Sequence, residues 1–230
     1  MHTAIVTGAS RGIGRAIAEI LLKNDFRVAI CARGLKPLLA MQEEWGTDRL
    51  YVQSANVGSR DGAYLFARDA MRALGHVDLL VNNAGAFAPD PLFDKVEGTF
   101  EDLLQANLYS AFYMSKAVVP HMRERRAGTI VNIGSVAGTM AYPAGGLYTV
   151  SKFAVNGLTK AMRAELKDDG IRVTHIVPGA TYTSSWEGAD IPEERFMPAR
   201  DIAEAVWTAW SVSDRTVLEE IVLRPQEGDL

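Results

Sequence analysis

Short β-branched runs alternate with longer amphipathic stretches from one end of this 230-residue chain to the other. The runs are Ala4–Thr7, Arg27–Ala32, Leu50–Ser54, Val77–Val81, Gly128–Ile133, Arg172–Val177 and Leu218–Leu223, each of a length that suits a buried strand. Between them Gly12–Lys23, Asp61–Leu74 and Gly145–Lys167 carry the helical period. Strands that alternate with helices are joined by right-handed crossovers, so the pattern predicts an α/β fold. Its core is a doubly wound parallel sheet of seven strands with helices on both faces. No linker, repeat or low-complexity tract divides the chain, and the expectation is a single domain over residues 1–230. Ala180–Pro198 stands apart, with two prolines, Trp186, mixed charge and no clear period. It reads as a loop or lid before a helix at Asp201–Trp210, and such loops commonly carry substrate sites.

Composition narrows the partners. The chain is 48% hydrophobic and 23% charged, a globular balance, and 24 basic against 28 acidic residues leave a net charge of -4. That charge makes no field to attract nucleic acid or an anionic membrane. The one cysteine, Cys31, can form neither an internal disulfide nor a cysteine metal cluster. His2, His76, His121 and His175 are scattered without ligand spacing, so no metal is expected. The start lacks a basic segment followed by an apolar run, and no apolar stretch approaches the ~18 residues of a membrane helix. Gly228-Asp229-Leu230 fits no anchor or retention signal. A soluble cytoplasmic protein that meets a small molecule is the expectation.

Thr7-Gly8-Ala9-Ser10-Arg11-Gly12-Ile13-Gly14 follows the first predicted strand and opens the first helix. Glycines there permit a tight turn and let backbone N–H groups approach a pyrophosphate, which the helix N-terminus also favours. Their spacing, Gly-x-x-x-Gly-x-Gly, departs from the commoner Gly-x-Gly-x-x-Gly of Rossmann-type dinucleotide sites. An NAD site wants a carboxylate about 20 residues on, at the ribose 2′-hydroxyl. Here the second strand ends Ile30-Cys31-Ala32-Arg33, with no carboxylate until Glu43. Arg33 and Arg11 could instead pair with a 2′-phosphate, which points to NADP(H); taken singly, each could be a solvated surface arginine.

Further motifs complete a pattern. Asn82-Asn83-Ala84-Gly85 follows the fourth run, Asn107 lies in the next helix, and Ser135 ends the fifth run. Tyr148-Thr149-Val150-Ser151-Lys152 opens a helix, and Pro178-Gly179-Ala180-Thr181-Tyr182-Thr183 follows the sixth run. In order and spacing, over about residues 3–183, these resemble the short-chain dehydrogenase/reductase family. Trp186 and the tail Arg215–Pro225 are similar to those of bacterial sepiapterin reductases, while the family's frequent glycine-rich ending is absent.

The resemblance implies a Rossmann-type domain, with a cofactor half at about residues 1–85 and a catalytic and substrate-loop half at about 86–230. It implies that Tyr148 exchanges a proton with the substrate oxygen and that Ser135 hydrogen-bonds the same oxygen. Lys152 would lower the tyrosine pKa and contact the nicotinamide ribose, and Asn107 would hold a water that relays protons to Lys152. Cofactor contacts are expected from Gly8, Ser10, Arg11, Gly12, Ile13, Gly14, Arg33, Asn56, Val57, Asn83, Ala84, Gly85, Tyr148, Lys152, Pro178, Gly179, Thr181 and Thr183. Asn56 stands where the family often has Asp and would bond the adenine; Thr183 would bond the carboxamide. Phe87, Met140, Tyr142 and the Ala180–Pro198 loop are expected to wall the substrate pocket.

Each catalytic candidate also has a plain structural reading: Tyr148 a packed helix residue, Lys152 a solvated charge, Ser135 a turn cap, Asn107 a polar group bonded to backbone. The four-residue spacing of Tyr148 and Lys152 does put both on one helix face. The function expected is an NADPH-dependent carbonyl reductase, with a sepiapterin-like pteridine side-chain ketone as the preferred substrate. The alternatives are a 3-oxoacyl-carrier-protein reductase, a hydroxy amino acid dehydrogenase, and a non-catalytic NADP(H)-binding sensor. Arg123-Glu124-Arg125-Arg126 is either a solvated helix end or a carrier-docking patch. By the same resemblance, helices around Glu101–Arg125 and Gly145–Lys167 would build a homodimer or homotetramer interface.

Overall fold

In the computed structural model, which describes residues 1–88, 92–93, 98–141, 145–186, 188 and 190–230, strands and helices alternate as expected. The chain runs β1 (Thr3–Thr7), α1 (Gly12–Lys23), β2 (Arg27–Ala32), α2 (Lys36–Trp45), β3 (Leu50–Ser54), α3 (Arg60–Leu74) and β4 (Leu79–Asn82). It continues through α4 (Thr99–Leu104), a π-helical turn at Gln105–Tyr109, α5 (Ser110–Arg125), β5 (Gly128–Ile133), α6 (Gly146–Leu166), β6 (Ile171–Pro178), α7 (Ala199–Ser211) and β7 (Glu220–Leu223). All seven strands are parallel, in the order β3-β2-β1-β4-β5-β6-β7.

Side chains alternate across the pleat and make two cores. Ala4, Val6, Val28, Ile30, Leu79, Val81 and Val131 face one side, packed with Ile17, Leu21 and Leu22 of α1 and Ile202 and Val206 of α7. Ile5, Ala29, Cys31, Leu80, Ile130 and Val173 face the other, against Phe66 of α3, Met114 and Val118 of α5 and Leu166 of α6. Burial on both faces is why the strand sequences read as continuous apolar runs.

Two strand starts differ from the sequence reading by two residues, and those of β1 and β6 by one. β4 begins at Leu79, not Val77, because Asp78 turns its carboxylate back to accept the Thr3 amide at 2.9 Å and Arg125 at 2.9 Å. β7 begins at Glu220, not Leu218, because the Arg172 guanidinium holds the approach as a loop, donating to Trp210 O at 3.3 Å and Val212 O at 3.1 Å. The Ala180–Pro198 segment is a pinned loop: a bridge joins Thr181 to Met197, with Met197 N on Ala180 O at 3.0 Å and Tyr182 N on Met197 O at 2.8 Å. Among the described residues no helix is long and apolar enough to cross a membrane, and no group of His, Cys, Asp and Glu is placed to hold a metal.

Candidate active site

Strand order reverses between β1 and β4, and a crevice opens there beyond the carboxyl ends of the strands. The cleft holds about 1030 Å³. Its floor is the glycine turn. Gly8 takes a φ of +68°, and a Cβ there would stand 2.8 Å from the Ala84 Cα. A Cβ at Gly14 would meet Asn83 Nδ2 at 2.3 Å, so this glycine lets α1 lie against the turn after β4. Asn83 fastens the two turns together, donating to Thr7 O at 2.9 Å and Gly8 O at 3.1 Å. Arg11, the N-cap residue of α1, makes no side-chain cap, and no acidic residue lies in the first turn. The first N–H groups of α1 thus point, uncapped, into a cleft shaped by glycine; that cradle fits a pyrophosphate. Arg33 is exposed at the end of β2 and shares the cleft with Arg11. Asn56 lines the same wall, its Oδ1 accepting from Gly58 N at 3.1 Å.

At the other end β5 and α6 converge. Ser135 lies two residues beyond β5, Tyr148 and Lys152 are one turn apart on α6, and all three line the cleft. Ser135 Oγ does cap a turn, accepting from Ala137 N at 3.2 Å, and its hydroxyl faces the Tyr148 phenol closely enough to favour the charged form. Lys152 is buried, donates to Ile133 O at 3.2 Å and lies 5.7 Å from the centre of the Tyr148 ring. Burial disfavours both charged forms. It pushes the Tyr148 phenol up to about 12, which the Ser135 hydrogen bond only partly offsets, and brings the Lys152 ammonium down to about 8. In the protein alone, loss of water around the phenol dominates.

Asn107 does not face the cleft. It sits in the π-helical turn, 3% exposed, its Oδ1 accepting from Ala86 N at 2.7 Å. Its amide donates to Ala86 O at 3.1 Å and Ser151 Oγ at 2.8 Å. Ser151 in turn donates to Tyr148 O at 2.7 Å. Asn107 thus ties the loop after β4 to the first turns of α6. Ser151 and Ala86 were missed by the sequence reading; a small hydroxyl three residues after Tyr148, on the same helix face, was the one available signal.

Gly8, Ser10, Arg11, Gly12, Ile13, Gly14, Arg33, Asn56, Val57, Asn83, Ala84, Gly85, Pro178, Gly179, Thr181 and Thr183 all line the one cleft with Ser135, Tyr148 and Lys152. Phe87 meets the Tyr148 ring edge-on at 5.0 Å and Trp186 at 5.4 Å, and Trp186 packs on Phe196 at 5.0 Å. Met140 does not wall the pocket: it is exposed, with Arg224 Nη2 on its sulfur at 3.4 Å. Tyr142 lies outside the described residues. The basic run near Arg126 is spent within the chain, Arg123 on Asp169 and Glu165, Arg125 on Asp78, and Arg126 on Asp168 O.

Known proteins are similar to this chain in sequence and in fold. A sepiapterin reductase from Chlorobaculum tepidum is 32% identical over 243 residues, covering 100% of this chain and 98% of that protein. A metagenomic short-chain oxidoreductase solved in complex with NADP superposes with a TM-score of 0.86 at 31% identity, covering 98% of this chain and 97% of that one. An alcohol dehydrogenase from the archaeon Thermococcus sibiricus, complexed with 5-hydroxy-NADP, gives a TM-score of 0.90 at 27% identity, covering 100% of this chain and 99% of that one. The short chain dehydrogenase family model matches residues 2–193, most of the chain. By sequence, fold and cleft alike, this chain belongs to the short-chain dehydrogenase family.

Proposed function

We propose that the protein is an NADPH-dependent carbonyl reductase. The observation that carries this reading is the Ser135–Tyr148 hydroxyl pair on the wall of a cleft whose far end is an uncapped helix N-terminus in a glycine turn. Arg11, Arg33 and the glycine turn would hold NADPH, which would supply the hydride for the carbonyl carbon of the substrate. Ser135 and Tyr148 grip the carbonyl oxygen, and the phenol gives that oxygen its proton as the C–O bond becomes single. With its pKa raised by burial, the phenol is protonated at neutral pH and so carries a proton to give. Lys152, beside the ring, stabilises the phenolate left behind and lies where protons return from solvent. With its amide protons spent on Ala86 and Ser151, Asn107 would hold a relay water through an acceptor oxygen.

The glycine-rich cofactor half spans about residues 1–85, and the catalytic and substrate-loop half, which adds Pro178, Gly179, Thr181 and Thr183 to the cofactor cleft, about residues 86–230. NADP(H), not NAD(H), is supported by Arg11 and Arg33 in the cleft, by the absence of a carboxylate at the end of β2, and by the NADP ligands of the solved relatives. The aromatic wall of Phe87, Trp186 and Phe196 suits a flat ring, which with the Chlorobaculum relative favours a pteridine side-chain ketone. A carrier-borne 3-oxoacyl substrate is less favoured, since the arginines that would dock its carrier are paired internally. A hydroxy amino acid substrate has the support of a solved serine dehydrogenase complexed with NADP+, 29% identical to this chain with a TM-score of 0.87, whereas a non-catalytic NADP(H) sensor has no observation of its own. Exposed Tyr109, Phe112, Val150 and Phe153 around α5 and α6 support a homodimer, and the single buried cysteine fits the cytoplasm.

The test is NADPH oxidation with sepiapterin, a simple diketone, a 3-oxoacyl thioester and, in reverse, serine with NADP. Sepiapterin is expected to turn over fastest. Absence of oxidation with every carbonyl, while NADPH still binds, would leave the sensor reading instead.

A further inference from the structure

Four polar side chains stand in register across the sheet just below the reacting groups: Asn82 on β4, Asn132 on β5, His175 on β6 and Glu220 on β7. The two asparagines bond each other, Ser115 and Thr159. His175 does not join them. Its side chain is 3% exposed, neither ring nitrogen has a hydrogen-bond partner, and Nδ1 lies 3.5 Å from Glu220 Oε2. An orphaned polar ring in a buried place costs free energy, so its position calls for a physical reason. Its other side supplies one. A Cβ at Gly134 would stand 2.1 Å from His175 Nε2, so the ring occupies the very space a side chain at that position would need. Gly134 in turn joins Ile133, whose carbonyl accepts the Lys152 ammonium, to Ser135.

We propose that His175 is a positioning residue: its ring props the Ile133–Gly134 peptide and thereby sets the seat of the Lys152 ammonium and of the Ser135 hydroxyl. The inference rests on the carbonyl reductase reading above. The ring serves best when neutral. The charged groups that face it are Glu220 from β7 and Lys152 and Lys160 from α6; β5 presents only Asn132 and Gly134, and Glu219 is spent on Arg163. Burial lowers the histidine pKa, Glu220 opposes that, and the two lysines add to it. A proton on the ring places a second cation behind the ammonium and drives Lys152 from its seat.

The test combines ring titration by NMR with pH profiles of kcat for NADPH-dependent reduction. The parent ring is expected to titrate below the ordinary histidine range, with kcat falling at the same acid midpoint. Glu220→Gln, a half-exposed change, moves both midpoints to lower pH. His175→Phe keeps a ring in place but carries no proton: it removes the acid limb and leaves kcat above neutrality within about threefold, whereas His175→Ala lowers kcat by about 10–100-fold, the cost of an ångström-scale misplacement. A folded His175→Ala protein with parental kcat overturns the proposal. So does a His175→Phe profile that superimposes on the parent's, and that variant decides the matter if the alanine variant does not fold. Full activity of Tyr148→Phe would sink the underlying mechanism instead, and the NMR titration, which needs no turnover, keeps the two failures apart.

Discussion

At the scale of single residues, the site sets burial against charge. Tyr148→Phe deletes one hydroxyl and keeps the ring that packs on Phe87. Steady-state rates are expected to fall by about 10²–10⁴-fold, the usual worth of a general acid, with NADPH affinity by fluorescence unchanged. Lys152 shows the opposite balance. Its folded pKa near 8 lies below that of an ordinary lysine, so the folded protein holds the buried ammonium at a cost at neutral pH. That cost is fully present below the folded value, shrinks as pH rises through it, and is gone above the unfolded value. Lys152→Met is therefore expected to stabilise the cofactor-free protein by about 2–3 kcal/mol at pH 7 while abolishing turnover. Thermal melts at neutral pH and near pH 10 check it, because the gain must shrink at the higher pH.

At the scale of elements, what was legible followed from periodicity and what was not followed from side-chain reach. The strand runs and the glycine turn could be read because both faces of the sheet are buried and because Gly8 and Gly14 leave no room for a Cβ. Helices α2 and α4 lacked a distinct period: α2 buries only Leu38 and Met41, and α4 only Leu103. The strand starts at β4 and β7 shifted because Asp78 and Arg172 spend their side chains on distant backbone, which no local pattern reveals. For the same reason the Asn107–Ala86–Ser151 tie was hidden while the residues it positions were not. The end of β2 yields a prediction of its own. Arg33→Ala is expected to weaken NADPH binding by about 1.5–3 kcal/mol, as for other charged hydrogen bonds, and to leave NADH binding alone. Equal losses in titrations of the two cofactors would remove the 2′-phosphate assignment. On α6, Phe153→Asp places a charge in the exposed apolar face and is expected to turn a dimer into monomers by light scattering.

At the scale of the whole molecule, the end of the sheet opposite the cleft is clamped by Asp78, which holds Thr3 N of β1, Arg125 of α5 and, at 3.1 Å, His76. Burial alone would raise this carboxyl, but the hydrogen bonds from Arg125 and Thr3 and the charges of His76 and Arg125 outweigh it, and its pKa is lowered. The clamp therefore stabilises the fold above the unfolded carboxylate pKa, and its contribution is lost as pH falls through the lower folded value. Asp78→Asn is expected to cost about 1–2 kcal/mol at pH 7, with the difference from the parent shrinking in acid melts as pH falls below the ordinary carboxylate range. The strand order has another consequence, in the time in which the chain is made. β1 is translated first yet lies mid-sheet, between β2 and β4. Until residue 79 leaves the ribosome, one whole edge of its buried backbone has no neighbour, and parallel pairing of this kind closes slowly. A nascent chain that stops short of β4 already carries the complete glycine turn on an open apolar edge, a template for wrong pairing. Residues 1–75 expressed alone should therefore aggregate rather than bind nucleotide, so the glycine-turn half cannot be borrowed as a portable module.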